Sequence, residues 1–196
     1  VGLNWEQSEQ RALRAYLDAV ANENIAPLTT LAVPVDRVYG RHWSLSGEDV
    51  PDYDAAIDAD YLPGRNVLLL GLTAVWCALH ETSKIALGSL LQNPYADATP
   101  QIFSEYARLL TGALTHPIEV SAPYRGRHKW DLIRDNPDLP LHLTLTCIDQ
   151  VHDVSTDTAD WRTAGPLHCG ACLKCHERHE AFVEAGVPDR TRYAVP

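Results

Sequence analysis

Helices and short apolar strands alternate along this chain without an internal repeat, which predicts an α/β fold with a largely parallel sheet flanked by helices. Two further observations set its size and its ending. The 196 residues are 45% apolar and 21% charged, which suits one medium soluble domain with a sizeable core. Cys147, Cys169, Cys172 and Cys175 all lie towards the C-terminus, which marks a metal-binding extension on that core. The division expected is therefore an α/β core over 1–145 and a cysteine-bearing extension over 146–196.

Residues 4–21 place Ala12, Leu13, Tyr16, Leu17 and Val20 at helical spacing, the pattern of an amphipathic helix. Leu28–Val33 is a short apolar run containing threonines and reads as a buried strand. Residues 36–64 are rich in Asp, Gly and Pro, with Tyr39, Trp43, Tyr53 and Tyr61 interspersed. A loop of that length inside a compact domain is usually functional. Asn66–Thr82 is a strongly apolar helix, and Lys84–Gly88 a second strand that ends on glycine. After the loop Asn93–Asp97, Thr99-Pro100 reads as an N-cap followed by proline at the first helical position. The helix so opened shows Ile102, Phe103, Tyr106, Leu110 and Ala113 on one face. Ile118–Ser121 is a third strand, and Lys129–Arg134 begins a short helix. Leu141–Thr146 alternates His142, Thr144 and Thr146 with leucines, a half-buried strand leading into Cys147. Leu173–Ala185 is the last helix. Ligands of parallel sheets bind beyond the carboxyl ends of the strands, which is where both long loops are expected.

Sixteen Lys+Arg against 26 Asp+Glu give a net charge of −10, which excludes a sequence-independent binder of phosphate backbones. No apolar run reaches the roughly 20 residues of a membrane span, and no basic-then-apolar secretory leader is visible, so the expectation is a cytoplasmic protein. The chain contains no Met and opens Val1-Gly2-Leu3-Asn4, which points to a processed start or to a further piece upstream.

Five cysteines without a leader speak against a disulfide framework. Cys169-Gly170-Ala171-Cys172-Leu173-Lys174-Cys175 is a double C-x2-C, and Cys147 stands 22 positions before it. A C-x2-C turn brings two thiolates to one side of a tight loop, close enough to share a metal at about 2.3 Å each. Gly170 suits the first turn, where backbone amides must point at sulfur. The same spacing opens an iron–sulfur run, but that run continues into Cys-Pro where this chain has His179-Glu180. Zinc held by Cys147, Cys169, Cys172 and Cys175 is the expectation. His168, His176 and His179 are supporting or surface residues in that reading, and Cys77 is a core residue of its apolar helix.

Elsewhere, nucleophile-elbow, Walker and zincin motifs are absent. Arg65, after Gly64, stands at the start of the apolar helix, where it is either part of an anion site or a surface brace. Lys129 is either a phosphate ligand or a solvated lysine, and Asp97 either a site carboxylate or an Asx turn. These residues, with Asn66, Arg125 and Arg127, indicate an anionic ligand without naming it.

The block Thr146-Cys147 with His168–Arg178, continuing through Ala181-Phe182, Ala185-Gly186 and Asp189–Tyr193, resembles the metal signature and ending of the 7-cyano-7-deazaguanine synthase family. Tyr61-Leu62-Pro63-Gly64-Arg65-Asn66 resembles its P-G-R-N motif, Pro51-Asp52-Tyr53 the loop before it, and Asn93–Asp97 with Phe103 its substrate-side loop. Lys129 is similar to the lysine of its late helix. The resemblance implies a Rossmann-like fold of the adenine nucleotide alpha hydrolase type. It implies an ATP-dependent C–N ligase of the queuosine pathway that converts 7-carboxy-7-deazaguanine and ammonia to the nitrile. It further implies one structural zinc per chain, ATP with Mg, a homodimer, and neither nucleic acid nor membrane as partner.

Carried over by residue, Gly64, Arg65, Asn66 and Gly88 fall on the nucleotide side, and Tyr95 and Asp97 on the deazaguanine side. Lys129 and Asp97 are the catalytic candidates. The family's pyrophosphate loop, S-G-G-x-D-S, occurs nowhere in these 196 residues, and the resemblance begins at the family's second strand. The polypeptide as written is therefore expected to show little ATP-dependent nitrile synthesis, with a core short of one strand. Alternatives are a non-catalytic zinc-binding homologue, or an ATP-dependent ligase acting on a different carboxylate.

Overall fold

The computed structural model describes residues 2–149 and 161–195. Val1, Pro196 and residues 150–160 of the expected extension lie outside the described residues. The chain packs as two compact units, one of residues 57–129 and one of 1–56 with 130–196. The unit boundaries fall at 56/57 and 129/130, whereas the division drawn from the cysteine block falls at 145/146.

In the 57–129 unit, helix α4 (Arg65–Leu79) is followed by β1 (Lys84–Ala86), a 3₁₀ turn at Ala96–Ala98, α5 (Pro100–Leu114) and β2 (Glu119–Ser121). Strands β1 and β2 pair in parallel, with Ile85 opposite Val120, so α5 is the crossover of a β-α-β unit. Thr99 caps α5 as its sequence predicts: its Oγ1 accepts from the Ile102 N–H at 3.3 Å, and Pro100 follows at the first helical position. The core is Leu70, Ala74 and Cys77 of α4, Ile85 of β1, Ala98, Phe103 of α5, and Ile118. Tyr106 and Leu110 pack against it, as the face reading of α5 requires, while Ile102 and Ala113 are exposed.

The other unit holds α1 (Glu6–Ala19), α2 (Asp36–Tyr39), α3 (Trp43–Ser46), most of α6 (Lys129–Asp135), α7 (Trp161–Ala164), β3 (Leu167–His168), α8 (Leu173–Ala185) and β4 (Arg192–Tyr193). Trp5 stacks on Trp43 at 5.7 Å, and the Asn4 N–H donates to the Ser44 carbonyl at 2.8 Å, which ties the chain's beginning to α3. A second core joins Ile133, Ala181, Phe182 and Ala185, with Trp130, Leu141 and Val187 against it. Strands β3 and β4 pair in parallel, Leu167 opposite Arg192 and His168 opposite Tyr193.

The mixed α/β class stands, but among the described residues each parallel sheet has only two strands. Leu28–Val33 is not a strand: its backbone is irregular and largely exposed, because an apolar run becomes a strand only where another strand pairs with it. Leu141–Thr146 is not a strand either. Pro140 starts a 3₁₀ turn over Leu141–Leu143, and the Leu141 carbonyl accepts from both the N–H and the hydroxyl of Thr144. The long 36–64 loop is broken by the short helices α2 and α3. In α1, Ala12 and Ala15 form the buried side while Leu13 stays 40% exposed, so the buried stripe is narrower than the apolar pattern. Among the described residues no helix is long and apolar enough to cross a membrane.

Candidate functional site

Four sulfur atoms converge in the unit that contains the chain's end. Those of Cys147, Cys169, Cys172 and Cys175 all lie within 4.8 Å of one another, and all four residues are buried. The Cys147–Cys172 distance is 4.0 Å, Cys169–Cys175 is 3.8 Å and Cys172–Cys175 is 3.6 Å. A tetrahedron with bonds of about 2.3 Å to zinc has edges of about 3.8 Å. The sulfurs already have the spacing that a four-thiolate metal site requires.

Local sequence builds this geometry. Gly170 takes φ +83°, which lets the Ala171 and Cys172 amides both point at the Cys169 sulfur at 3.3 Å. The Cys169 amide in turn faces the Cys147 sulfur at 3.3 Å. Cys172 is the N-cap of α8, so Cys175 follows in the first turn of that helix. The Leu173 N–H donates to the Pro51 carbonyl at 3.2 Å, and Asp52 bridges Cys172, which brings the Pro51-Asp52-Tyr53 loop against the knuckle. Hydrogen bonding to the other three sulfurs pushes the Cys147 thiol up and draws Cys172 down. A cation that binds there must displace the thiol protons.

The histidines take supporting places, as their sequence positions indicate. His168 is fully buried, and its Nε2 accepts from the Thr146 N–H at 3.2 Å, which leaves the ring proton on Nδ1. Burial, then the nearby Arg178 cation, lowers its pKa to about 4, so the ring is neutral. His176 stacks on Tyr53 at 4.1 Å, with Nδ1 2.6 Å from the Tyr53 carbonyl and Nε2 3.1 Å from Glu180. His179 lies beside the Tyr193 ring at 6.1 Å. Among the described residues, the metal-type cluster is made of sulfur alone.

Arg178 is the residue that sequence reasoning passed over. Only 4% exposed, it donates to the Thr191 hydroxyl at 2.8 Å, the Thr144 hydroxyl at 3.0 Å and the Leu141 carbonyl at 2.7 Å. It thereby joins α8, the segment that leads to Cys147, and the Asp189–Tyr193 ending. Burial lowers its pKa, which no local pattern could signal.

The remaining candidates lie in the 57–129 unit. Gly64 adopts φ +71° as the N-cap of α4 and has no side chain to cap it, so the cap comes from elsewhere. Asp97 supplies it: its carboxylate accepts from the Asn66 backbone N–H at 3.3 Å and from the Asn66 side-chain amide at 3.1 Å. A carboxylate at a helix N-terminus also opposes the positive end of the helix dipole. Arg65 is exposed. The Tyr95 hydroxyl donates to Asp60, a residue its sequence context gives no reason to single out, and the Tyr95 ring lies 5.0 Å from that of Tyr61. Gly88 sits just past the carboxyl end of β1, and Lys129 opens α6. The structure thus joins Asn66 with Asp97, and Tyr95 with Asp60 and Tyr61.

The family model for queuosine biosynthesis protein QueC matches residues 1–186. The chain belongs to the QueC family. Relatives named 7-cyano-7-deazaguanine synthase include one from Methanothrix thermoacetophila, 30% identical over 98% of this chain and 84% of the relative. One from Syntrophobacter fumaroxidans is 28% identical over 83% of this chain and 71% of the relative. A third, from Methanococcus maripaludis, is 26% identical over 76% of this chain and 64% of its own length. The match of this QueC-family chain runs through both the cysteine cluster and the Asn66–Asp97 pair, so both fall within the family's span.

Proposed function

We propose that the chain serves in an ATP-dependent 7-cyano-7-deazaguanine synthase, forming the nitrile from 7-carboxy-7-deazaguanine and ammonia. The observation that carries this reading is the QueC family match over 1–186, with relatives that bear that enzyme's name. The chemistry needs ATP twice. A carboxylate oxygen leaves only after activation, ammonia then takes its place to give the amide, and the amide oxygen must be activated in turn before it departs. In this reading Gly64, Arg65, Asn66 and Gly88 lie on the nucleotide side, Tyr95 and Asp97 on the deazaguanine side, and Lys129 near the phosphates. Cys147, Cys169, Cys172 and Cys175 hold a structural zinc, which their sulfur spacing supports. The working enzyme is a cytoplasmic homodimer that uses ATP with Mg.

A second reading, a zinc-bearing homologue without ATP chemistry, rests on the four-cysteine cluster, which could hold its metal whether or not ATP is used. One experiment separates the two. The protein expressed from its native gene is incubated with carboxy-deazaguanine, ammonium and Mg-ATP, while its metal is quantified against titratable thiol. Nitrile formed with release of AMP, and one zinc per chain, support the synthase. Zinc without turnover leaves the second reading, turnover only with another carboxylate changes the substrate, and iron in place of zinc overturns the metal assignment.

A further inference from the structure

Because β1 and β2 run in parallel, the loops that follow them leave from the same edge of the sheet. One side chain grips the first loop from the second. Nη1 of Arg125 donates to the carbonyls of Leu90 and, at 2.8 Å, Leu91, while Nη2 donates to the Asn93 carbonyl at 3.2 Å. A backbone bond from the Leu91 N–H to the Arg127 carbonyl, 3.0 Å, reinforces the same junction. Arg125 itself sits in a turn, its N–H donating to the Ala122 carbonyl at 3.1 Å, so the guanidinium is presented from a fixed base.

Three carbonyl oxygens that converge on one point repel each other unless a cation lies between them. A planar guanidinium serves all three through its two terminal nitrogens, Nη1 taking Leu90 and Leu91 and Nη2 taking Asn93, a spread that the one nitrogen of lysine does not reproduce. The chain gripped in this way runs directly into Asn93–Asp97. There the Asn93 side chain accepts from the Tyr95 N–H at 3.0 Å, Tyr95 reaches Asp60, and Asp97 caps α4. The position of Tyr95 and Asp97 is therefore set at one end by α4 and at the other by Arg125.

We propose that Arg125 is the positioning residue that fixes the Asn93–Asp97 loop for recognition of the deazaguanine ring; the role rests on the synthase reading above. It touches neither nucleotide nor reacting atoms in this assignment, so its loss acts on the binding of one substrate.

The test compares the native protein with Arg125→Lys and Arg125→Ala in steady-state kinetics and in amide hydrogen exchange. Both variants are expected to raise KM for carboxy-deazaguanine about tenfold, from the loss of charge-assisted bonds, while KM for ATP stays within about twofold. Exchange across residues 88–98 accelerates to a similar degree, and millimolar guanidinium ion partly restores Arg125→Ala. Melting is recorded alongside, and if Arg125→Ala loses its cooperative transition, Arg125→Lys alone decides. An unchanged deazaguanine KM, or a parallel rise in both KM values, overturns the role. A native protein that makes no nitrile overturns the synthase reading, and exchange then judges the loop: no acceleration across 88–98 refutes Arg125 as its anchor.

Discussion

Replacing Gly170 by alanine tests whether the chain's ending is seated on the cysteine knuckle. Gly170 has φ +83°, and a Cβ there would lie 1.9 Å from the Val195 carbonyl oxygen. Such contacts are not found below about 3.0 Å, so backbone must move by about 1.1 Å, the difference 3.0 − 1.9. Two hydrogen bonds hold the ending in place, Ala194 N–H to the His168 carbonyl at 2.8 Å and Val195 N–H to the Cys169 carbonyl at 3.1 Å. Losing both costs about 2 kcal/mol, and the left-handed backbone adds about 1 kcal/mol for a residue with Cβ. Gly186 provides the control, since it has φ +67° but nothing within 4 Å of a built Cβ. Gly186→Ala is therefore expected to cost only about 1 kcal/mol. Urea unfolding of the metal-loaded protein should place Gly170→Ala about 3 kcal/mol below the parent, with faster metal loss to a chelator. If Gly170→Ala and Gly186→Ala prove equally mild, the ending does not press on the knuckle and the reasoning fails.

Three further outcomes are expected. Asp97→Ala removes the external cap of α4 and should lower stability by about 1 kcal/mol in thermal melts without any ligand; an unchanged Tm would show that Asp97 does not cap the helix. Cys172→Ser takes away one of the four converging sulfurs, so a chelator that leaves the metal-loaded parent intact should strip this variant; equal retention would remove Cys172 from the ligand set. Burial alone would raise the Asp189 carboxyl, but hydrogen bonds from Thr191, at 2.8 Å to its N–H, and from the Tyr193 hydroxyl at 2.7 Å outweigh it and hold the pKa low. A depressed folded pKa contributes stability above the unfolded value near 3.9 and loses it as pH falls through the folded one. The stability gap between the parent and Asp189→Asn should thus be widest at neutral pH and close in acid, and a gap that does not vary with pH would contradict this.

What could be read from sequence follows from how locally each feature is determined. The Cys169–Cys175 turn, the Thr99-Pro100 start of α5 and the α8 helix depend on neighbours within a few residues, and all three form as predicted. The failures sit where partners are distant. Leu28–Val33 has strand composition but no described strand to pair with, and Leu141–Thr146 alternates correctly yet turns at Pro140, where Arg178 from α8 takes the Leu141 carbonyl. Arg178 lies 34 positions from Thr144 and 37 from Leu141, beyond the reach of any periodicity. Asp60 and Arg125 matter for the same reason, through contacts made about 35 positions away.

The Asn66–Asp97 pair joins the two motifs that the proposed function sets on the nucleotide and deazaguanine sides. Read separately, Gly64-Arg65-Asn66 offers a positive helix start to an anion, and Asn93–Asp97 offers a carboxylate to a ring. In the folded chain that carboxylate already occupies the second amide of the helix, because Gly64 leaves the start of α4 without a cap of its own. An anion that used the Asn66 amide would have to displace Asp97, and a ring that used Asp97 would have to compete with Asn66. Both motifs therefore draw on one set of hydrogen bonds, with Arg65 left exposed beside them. Coupling between nucleotide and deazaguanine follows only where a ligand displaces this pair; loosening the Leu90–Asn93 end of the loop at Arg125 leaves Asp97 on Asn66 and so bears on the ring alone.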